Sequence, residues 1–247
     1  METGRQKALV TGGSRGIGRA IASALTRAGH EVTIVARNAD ALRQAVSDGV
    51  ACHGEALDVL DDAALAALAS RGEFSILVNN AGGATTAPFG KTDVEDFRRM
   101  FGLNVLSAVE ATRACLPGMV GRGWGRVINV ASTAGLKGYG YVSAYVTAKH
   151  ALVGLTRALA QENARTGVTV NALCPGYTDT DLVAESVAGI VRKTGRSEAD
   201  ARAHFAGQSP MGRLVRPEEV ADAALWLCGP GADAVTGQCI AIAGGEI

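Results

Sequence analysis

Tyr145 and Lys149 stand four residues apart in a chain of 247 residues, with Ser132 thirteen residues before the tyrosine. Four residues is about one helical turn, so on a helix the phenol and the ammonium share a face. Tyrosine ordinarily titrates near 10, and a neighbouring positive charge favours the phenolate. The pair is therefore expected to give or take a proton near neutral pH. The second suggestive feature is the turn Thr11-Gly12-Gly13-Ser14-Arg15-Gly16-Ile17-Gly18. Glycines there let the backbone approach a pyrophosphate, which would sit at a helix N-terminus. A proton donor joined to a dinucleotide site suits hydride transfer to or from a carbonyl.

These groups need elements to hold them. Short apolar, β-rich runs occur at Lys7–Thr11, Glu31–Arg37, Ala51–Asp58, Ser75–Asn80, Arg126–Ser132, Val168–Cys174 and Gln238–Ala243. Several are almost wholly apolar over four or five residues, as strands covered on both faces should be. Helical stretches lie between them, among them Gly16–Ala28, Leu103–Val120, Tyr145–Arg165 and Pro217–Leu227. Pro217 followed by Glu218 and Glu219 is a helix start. The alternation predicts a single α/β domain over residues 1–247, a Rossmann-type doubly wound parallel sheet of seven strands. Such sheets bind ligands beyond the C-terminal ends of their strands, where the motifs above fall.

Composition narrows the classes. With 24 basic and 24 acidic residues dispersed along the chain, no electrostatic footprint for nucleic acid or an anionic membrane is expected. No apolar run nears the roughly 18 residues of a membrane span, and Met1–Lys7 reaches the first strand too soon for a signal peptide. Five cysteines, Cys52, Cys115, Cys174, Cys228 and Cys239, form no CxxC pair. That set fits a reduced, cytoplasmic protein and predicts neither a disulfide scaffold nor a metal site.

The second strand bears on the nucleotide. An acid at its end would bind an adenosine ribose and mark NAD. Here Val35-Ala36-Arg37-Asn38 has alanine where the acid would stand. Arg37 together with Arg15 would instead embrace a 2′-phosphate, favouring NADPH/NADP+ over NAD.

Taken in order, these residues resemble the short-chain dehydrogenase/reductase family over the whole chain. The resemblance rests on Thr11–Gly18, Leu57-Asp58-Val59, Asn79-Asn80-Ala81-Gly82, Asn104, Ser132, Tyr145, Lys149 and Pro175-Gly176. It implies a proton transferred by Tyr145, a substrate oxygen bonded by Ser132, and a nicotinamide ribose held by Lys149, which also lowers the tyrosine pKa. Asn104 would keep a water linking Lys149 to solvent. Asp58 and Val59 would meet the adenine, Asn80, Ala81 and Gly82 would support the cofactor side, and Pro175, Gly176, Thr178 and Thr180 would flank the nicotinamide. Taken singly, Ser132 could be a turn residue and Thr180 a helix cap. The alternative is a non-catalytic, cofactor-binding regulatory protein, which would be expected to have lost one of the four catalytic positions.

About thirty residues, 181–213, separate the sixth strand from the Pro217 helix, the length of a helical substrate lid. Leu182, Val183, Val187, Ile190 and Val191 recur at helical spacing, and Ser197 would cap a second short helix ending at Gly207. Tyr139, Tyr141 and Val142 are expected to line the pocket, with Leu182 and Val183 opposite. Arg192, Lys193, Arg196, Arg202 and His204 would receive the phosphates of coenzyme A or an acidic carrier protein, or form a wet helix face.

Two subfamilies compete within the resemblance. Ala131-Ser132-Thr133-Ala134-Gly135 and the arginine-bearing second strand are similar to 3-oxoacyl-thioester reductases and polyketide ketoreductases. Cys174-Pro175-Gly176-Tyr177 and Ala144–His150 resemble the NAD-dependent 3-hydroxybutyrate dehydrogenases, in which Gln208 would bind a small carboxylate. The expected substrate is a small ketone or acyl thioester. The resemblance also implies a homotetramer built on Leu103–Val120, Tyr145–Arg165 and Gln238–Ile247.

Overall fold

The computed structural model describes residues 4–247, so Met1–Thr3 of the N-terminal run lie outside the described residues. Seven strands follow in chain order: β1 (Lys7–Thr11), β2 (Glu31–Ala36), β3 (His53–Ala56), β4 (Ile76–Asn79), β5 (Gly125–Val130), β6 (Val168–Pro175) and β7 (Cys239–Ile242). They form one sheet in the order β3-β2-β1-β4-β5-β6-β7, and every neighbouring pair is parallel. The chain winds outward from β1 to β3, then returns to the centre and winds the other way from β4. This reversal opens a crevice beyond the ends of β1 and β4.

Helices α1 (Gly16–Arg27), α2 (Ala39–Ser47) and α9 (Pro217–Cys228) contribute to the core on one face of the sheet. On the other lie α3 (Asp62–Arg71), α5 (Ser107–Arg122) and part of α6 (Ser143–Glu162), with α4 (Val94–Phe101) leading into α5. The strand period of two divides the side chains between the cores. Ala8 and Val10 of β1 join the first, whereas Leu9 between them joins the second. Ile76, Leu77 and Val78 of β4 alternate in the same way. Burial on both faces explains why these strands read as continuous apolar runs.

Between β6 and α9 stand α7 (Asp181–Thr194) and α8 (Glu198–Ala206), the two helices expected of the lid. They bury a small core of their own, Val183, Val187, Ala201, Phe205 and Leu214. Ser197 caps α8 by accepting the Asp200 amide at 3.1 Å, and Gly207 ends it. No helix of the described residues is long and apolar enough to cross a membrane.

Candidate active site

The glycine turn is shaped by hydrogen bonds that its sequence alone does not display. Gly12 and Gly16 have φ of +66° and +53°, which a side chain would strain. The Gly12 and Gly13 amides both donate to the Val35 carbonyl, at 2.8 and 3.2 Å. Gly18 lies inside α1, where a Cβ would run into the Gly12 carbonyl and the Asn80 amide. Asn80 donates from Nδ2 to the carbonyls of Thr11 and Gly12, at 3.0 and 3.1 Å. In return Thr11 Oγ1 accepts the amides of Asn80 and Ala81, each at 3.0 Å. Thr11 and Asn80 thus fasten together the ends of the two strands that diverge at the crevice.

A cleft of about 800 Å³ opens there. Gly12, Ser14, Arg15, Gly16 and Ile17 line one wall, and Asp58, Val59, Asn80, Ala81 and Gly82 line the floor. At its mouth Arg15 N-caps α1 without a side-chain bond to the helix amides, and the first turn of that helix carries no acid. Its free amides and positive end are a site for a phosphate group, and the glycine cradle leaves room for one. The cleft therefore fits a dinucleotide. Thr11 and Gly18, expected to touch a cofactor, are absent from the lining: Thr11 is 3% exposed and braces the turn, while Gly18 permits close helix packing.

At the other end of the cleft, Arg37 lies exposed beside Ala36 and Asn38. Among the described residues Arg37 has no ion-pair partner. Arg15 turns the other way. Its guanidinium meets Glu185 at 3.3 Å and Asp181 at 3.6 Å, both on α7. The two arginines expected to work together are thus differently engaged.

Tyr145, Lys149 and Asn104 line the deep part of the same cleft. Lys149 Nζ is buried, donates to the Val130 carbonyl at 2.9 Å, and lies 5.6 Å from the centre of the Tyr145 ring. Burial pushes this ammonium down to about 8. The phenol of Tyr145 moves upward, because burial outweighs the opposing hydrogen bond with Ser132. This corrects the expectation of a tyrosine lowered by its lysine, since desolvation dominates both groups. Ser132 Oγ accepts the Ala134 amide at 3.1 Å and keeps its own proton to donate, toward Tyr145 or toward a bound oxygen.

Asn104 occupies a π-helical turn, Gly102–Leu106, inserted between α4 and α5. The wider turn survives because side chains satisfy the carbonyls it releases. Asn104 Nδ2 donates to Met100 O and to Gly83 O, each at 3.0 Å, and Ser107 Oγ donates to Leu103 O at 2.7 Å. Asn104 Oδ1 faces the loop after β4, where a Cβ on Gly82 would come within 2.7 Å of it.

Beyond β6, Thr180 lines the cleft and N-caps α7, though its hydroxyl donates to Thr178 O at 3.2 Å rather than to the helix. Pro175 and Thr178 are buried behind it, and Gly176 is half-buried. Of the expected pocket residues, Leu182 lines the cleft and is exposed. Val183 instead packs inside the α7–α8 core, because one helical position moves a side chain about 100° around the axis. Tyr141 is exposed with φ of +67°, and its carbonyl accepts the Ala87 amide at 2.9 Å. Val142 N-caps α6 beside it. Tyr139 does not line the cleft; its hydroxyl is engaged by Thr133 and Glu246.

Of the basic residues on this segment, Arg202 pairs with Asp179 at 2.5 Å, and His204 lies edge-on to Phe205. Arg192 and Arg196 are exposed, as is Gln208; the side chain of Lys193 lies outside what is described. Sequence reasoning missed Asn38, Gly83, Arg99, Met100 and Leu103 on the cleft wall. It also missed the Val130 carbonyl that holds Lys149. The last could not be found from residue types, since any residue supplies a carbonyl.

Residues 6–190 match the family model described as short chain dehydrogenase. The chain is 37% identical over 244 residues to the acetoacetyl-CoA reductase of Rhizobium meliloti, covering 97% of both chains. It is equally, 37%, identical over 250 residues to the D-beta-hydroxybutyrate dehydrogenase of Cupriavidus necator, again covering 97% of both. Among solved structures, a variant of actinorhodin polyketide ketoreductase with NADPH superposes with a TM-score of 0.93 and 35% identity, over 98% of this chain and 97% of that one.

Proposed function

The chain belongs to the short-chain dehydrogenase/reductase family of NAD(P)-dependent oxidoreductases, and on that premise we propose that it uses NADPH to reduce a ketone to a secondary alcohol. The ketone is that of a 3-oxoacyl thioester, carried on coenzyme A or a carrier protein, or of a similar carbonyl compound. The observation that carries this reading is one cleft lined by Tyr145, Lys149 and Asn104 and also by Arg37, not an acid, which has no ion-pair partner among the described residues. Similarity to an acetoacetyl-CoA reductase and to a polyketide ketoreductase solved with NADPH supports it.

In this reading the glycine turn and the N-terminus of α1 hold the pyrophosphate, Asp58 and Val59 face the adenine, and Arg37 takes the 2′-phosphate. Lys149 and Thr180 orient the nicotinamide end. Bound there, NADPH supplies the hydride that the carbonyl carbon accepts. Tyr145 gives its proton to the carbonyl oxygen as charge develops on it. Its upward-shifted pKa keeps the phenol protonated at neutral pH, which suits the reducing direction. Ser132 donates a second hydrogen bond to the same oxygen with the proton left free by the Ala134 contact. Lys149, with a pKa of about 8, is poised to return a proton to Tyr145. Asn104 holds the π-helical turn and the Gly82–Gly83 loop against this group. The helices α7 and α8 act as a lid over the substrate, with Leu182 at its edge.

A second reading, an NAD-dependent 3-hydroxybutyrate-type dehydrogenase, is favoured by Arg15. That guanidinium is already engaged by Asp181 and Glu185, which weakens its pull on a 2′-phosphate. Purified protein offered acetoacetyl-coenzyme A or free acetoacetate, each with NADPH and with NADH, separates the two. Thioester reduction with NADPH is expected; turnover of free acetoacetate with NADH would replace the first reading by the second.

Assembly as a homotetramer is part of the proposal. Exposed Phe101, Leu106 and Val120 on and beside α5, with Ile247 after β7, offer apolar surface for it. Light scattering at the elution peak would give the mass directly. Five free thiols support a reducing, cytoplasmic setting.

A further inference from the structure

We infer that Glu246 is a positioning residue for Ser132, acting through Tyr139 and Thr133. The inference rests on the reading of Ser132 as the hydroxyl that meets the substrate oxygen. Nothing in the sequence pattern singles out Glu246, and it belongs to no motif discussed above.

Three loops converge on its carboxylate, whose side chain is 3% exposed. From the loop after β5, Lys137 Nζ approaches Oε1 to 3.1 Å, and the Tyr139 hydroxyl donates to Oε1 at 2.5 Å. From the loop after β6, the Gly176 backbone comes so near that a Cβ there would sit 3.0 Å from Oε2. The third segment is the carboxylate's own, after β7. A carboxylate so buried must keep its partners, because leaving one unpaired is costly.

The chain of contacts continues to Ser132. Tyr139 has one proton, and an ionised carboxylate can only accept, so the phenol donates to Glu246. Its oxygen then accepts from the Thr133 hydroxyl, 2.6 Å away. Burial and the carboxylate together push the Tyr139 pKa up, so this direction is kept. Thr133 is itself buried and follows Ser132 directly. Two amides close the turn around Ser132: Ala134 N donates to its Oγ at 3.1 Å, and Gly135 N donates to its carbonyl at 2.8 Å. The Glu246 carboxylate thereby fixes the Thr133 side of a turn whose other side is the Ser132 hydroxyl. Charge-assisted bonds are about twice as strong as neutral ones, which makes the carboxylate the firm end of the chain. Tyr139 and Tyr177 meet edge-on at 6.3 Å between ring centres, so the same cluster also abuts the base of the α7–α8 hairpin.

The test uses the full chain with Glu246→Ala, Glu246→Gln, Tyr139→Phe and the Ala/Phe double variant. Exchange of the Ala134 and Gly135 amides, read by NMR, reports the Ser132 turn directly and needs no substrate. Steady-state reduction of acetoacetyl-coenzyme A with NADPH reports its consequence. In Glu246→Ala and Tyr139→Phe, exchange at both amides is expected to rise about 10-fold and kcat to fall by a similar factor, with KM held within about twofold. The double variant should be no worse than either single one, and Gln, which keeps an acceptor for Tyr139, should restore most of the protection. Unchanged exchange at Ala134 and Gly135 in Tyr139→Phe, the milder of the changes, would overturn the inference, as would additive losses in the double variant. Absence of turnover in the unaltered protein would count against the proposed substrate, while the exchange measurement would still decide the role of Glu246.

Discussion

The glycine turn after β1 and the hairpin of α7 and α8 face one another across the cleft, yet different forces hold them. The turn is fastened by four half-buried hydrogen bonds between Thr11, Asn80 and the backbone. The hairpin rests on a small apolar core of five buried residues and on exposed ion pairs, Arg15 with Asp181 and Glu185, and Arg202 with Asp179. Buried polar bonds allow one geometry, since a displaced donor is left without water. Exposed ion pairs contribute little and exchange partners freely. One wall of the cleft is therefore set before any ligand arrives, and the other is free to adjust. On the proposed function, that division would place rigidity on the nucleotide side and freedom to adjust on the substrate side.

Substitutions should separate the two walls. The largest effect is expected from Gly18→Val, whose side chain would collide with the Gly12 carbonyl and the Asn80 amide. Calorimetric titration should show NADPH affinity falling by about 100-fold or more, because the turn can no longer close. Asn80→Ala leaves two carbonyls unserved and should cost about 1–3 kcal/mol. Thermal unfolding would register that as roughly 2–4 °C of Tm for each kcal/mol in a chain of this size. An unaltered Tm would mean that the turn is not the rigid partner.

Proton supply sharpens the comparison from the rigid side. Burial pushes Lys149 down to about 8, so in the proposed relay its ammonium would lose the proton meant for Tyr145 as pH rises through that value. The kcat for reduction should hold near pH 7 and fall about tenfold per unit above pH 8. A flat profile to high pH would exclude Lys149 from the relay.

Effects on the hairpin should be smaller and confined to substrate. Phe205→Ala empties part of the α7–α8 core, and KM for the ketone is expected to rise about fivefold while Tm moves by less than about 2 °C, as local loosening predicts. Smallest of all, the double change Asp181→Asn, Glu185→Gln frees Arg15. Exposed pairs contribute about 0.2–1 kcal/mol, so NADPH should bind roughly two- to fivefold more tightly, with NADH unchanged. Equal gains for both nucleotides would show that Arg15 does not meet a 2′-phosphate.

The two walls were also unequally legible in the sequence. The β1–α1 turn and the strands behind it could be read because buried parallel strands are apolar runs and because only glycine tolerates the Gly12 and Gly16 backbone. Tyr145, Lys149 and Ser132 could be picked out because the chemistry proposed for them resides in side-chain types and spacing. What escaped lies in backbone and in long-range contacts. Thr11 looked like a ligand contact and proved to be a brace. The Val130 carbonyl that holds Lys149 has no signature, nor does the π-helical turn at Asn104, which depends on Ser107 and Met100 three and four residues away. The direction of the Tyr145 shift is not legible either, because spacing reveals a neighbouring charge but not the burial that outweighs it. Val183 packs into the α7–α8 core, a tertiary contact without a mark in the sequence, and Glu246 meets Tyr139 across 107 residues.

In the proposed mechanism Tyr145 provides the proton while the rest of the cleft holds the nucleotide. Tyr145→Phe tests it most directly, with NADPH binding followed by fluorescence and reduction of acetoacetyl-coenzyme A followed in the same preparation. NADPH affinity is expected to stay unchanged and turnover to fall by about 10²–10⁴-fold, the range of acid–base contributions. Retention of most of the turnover by this variant would contradict it.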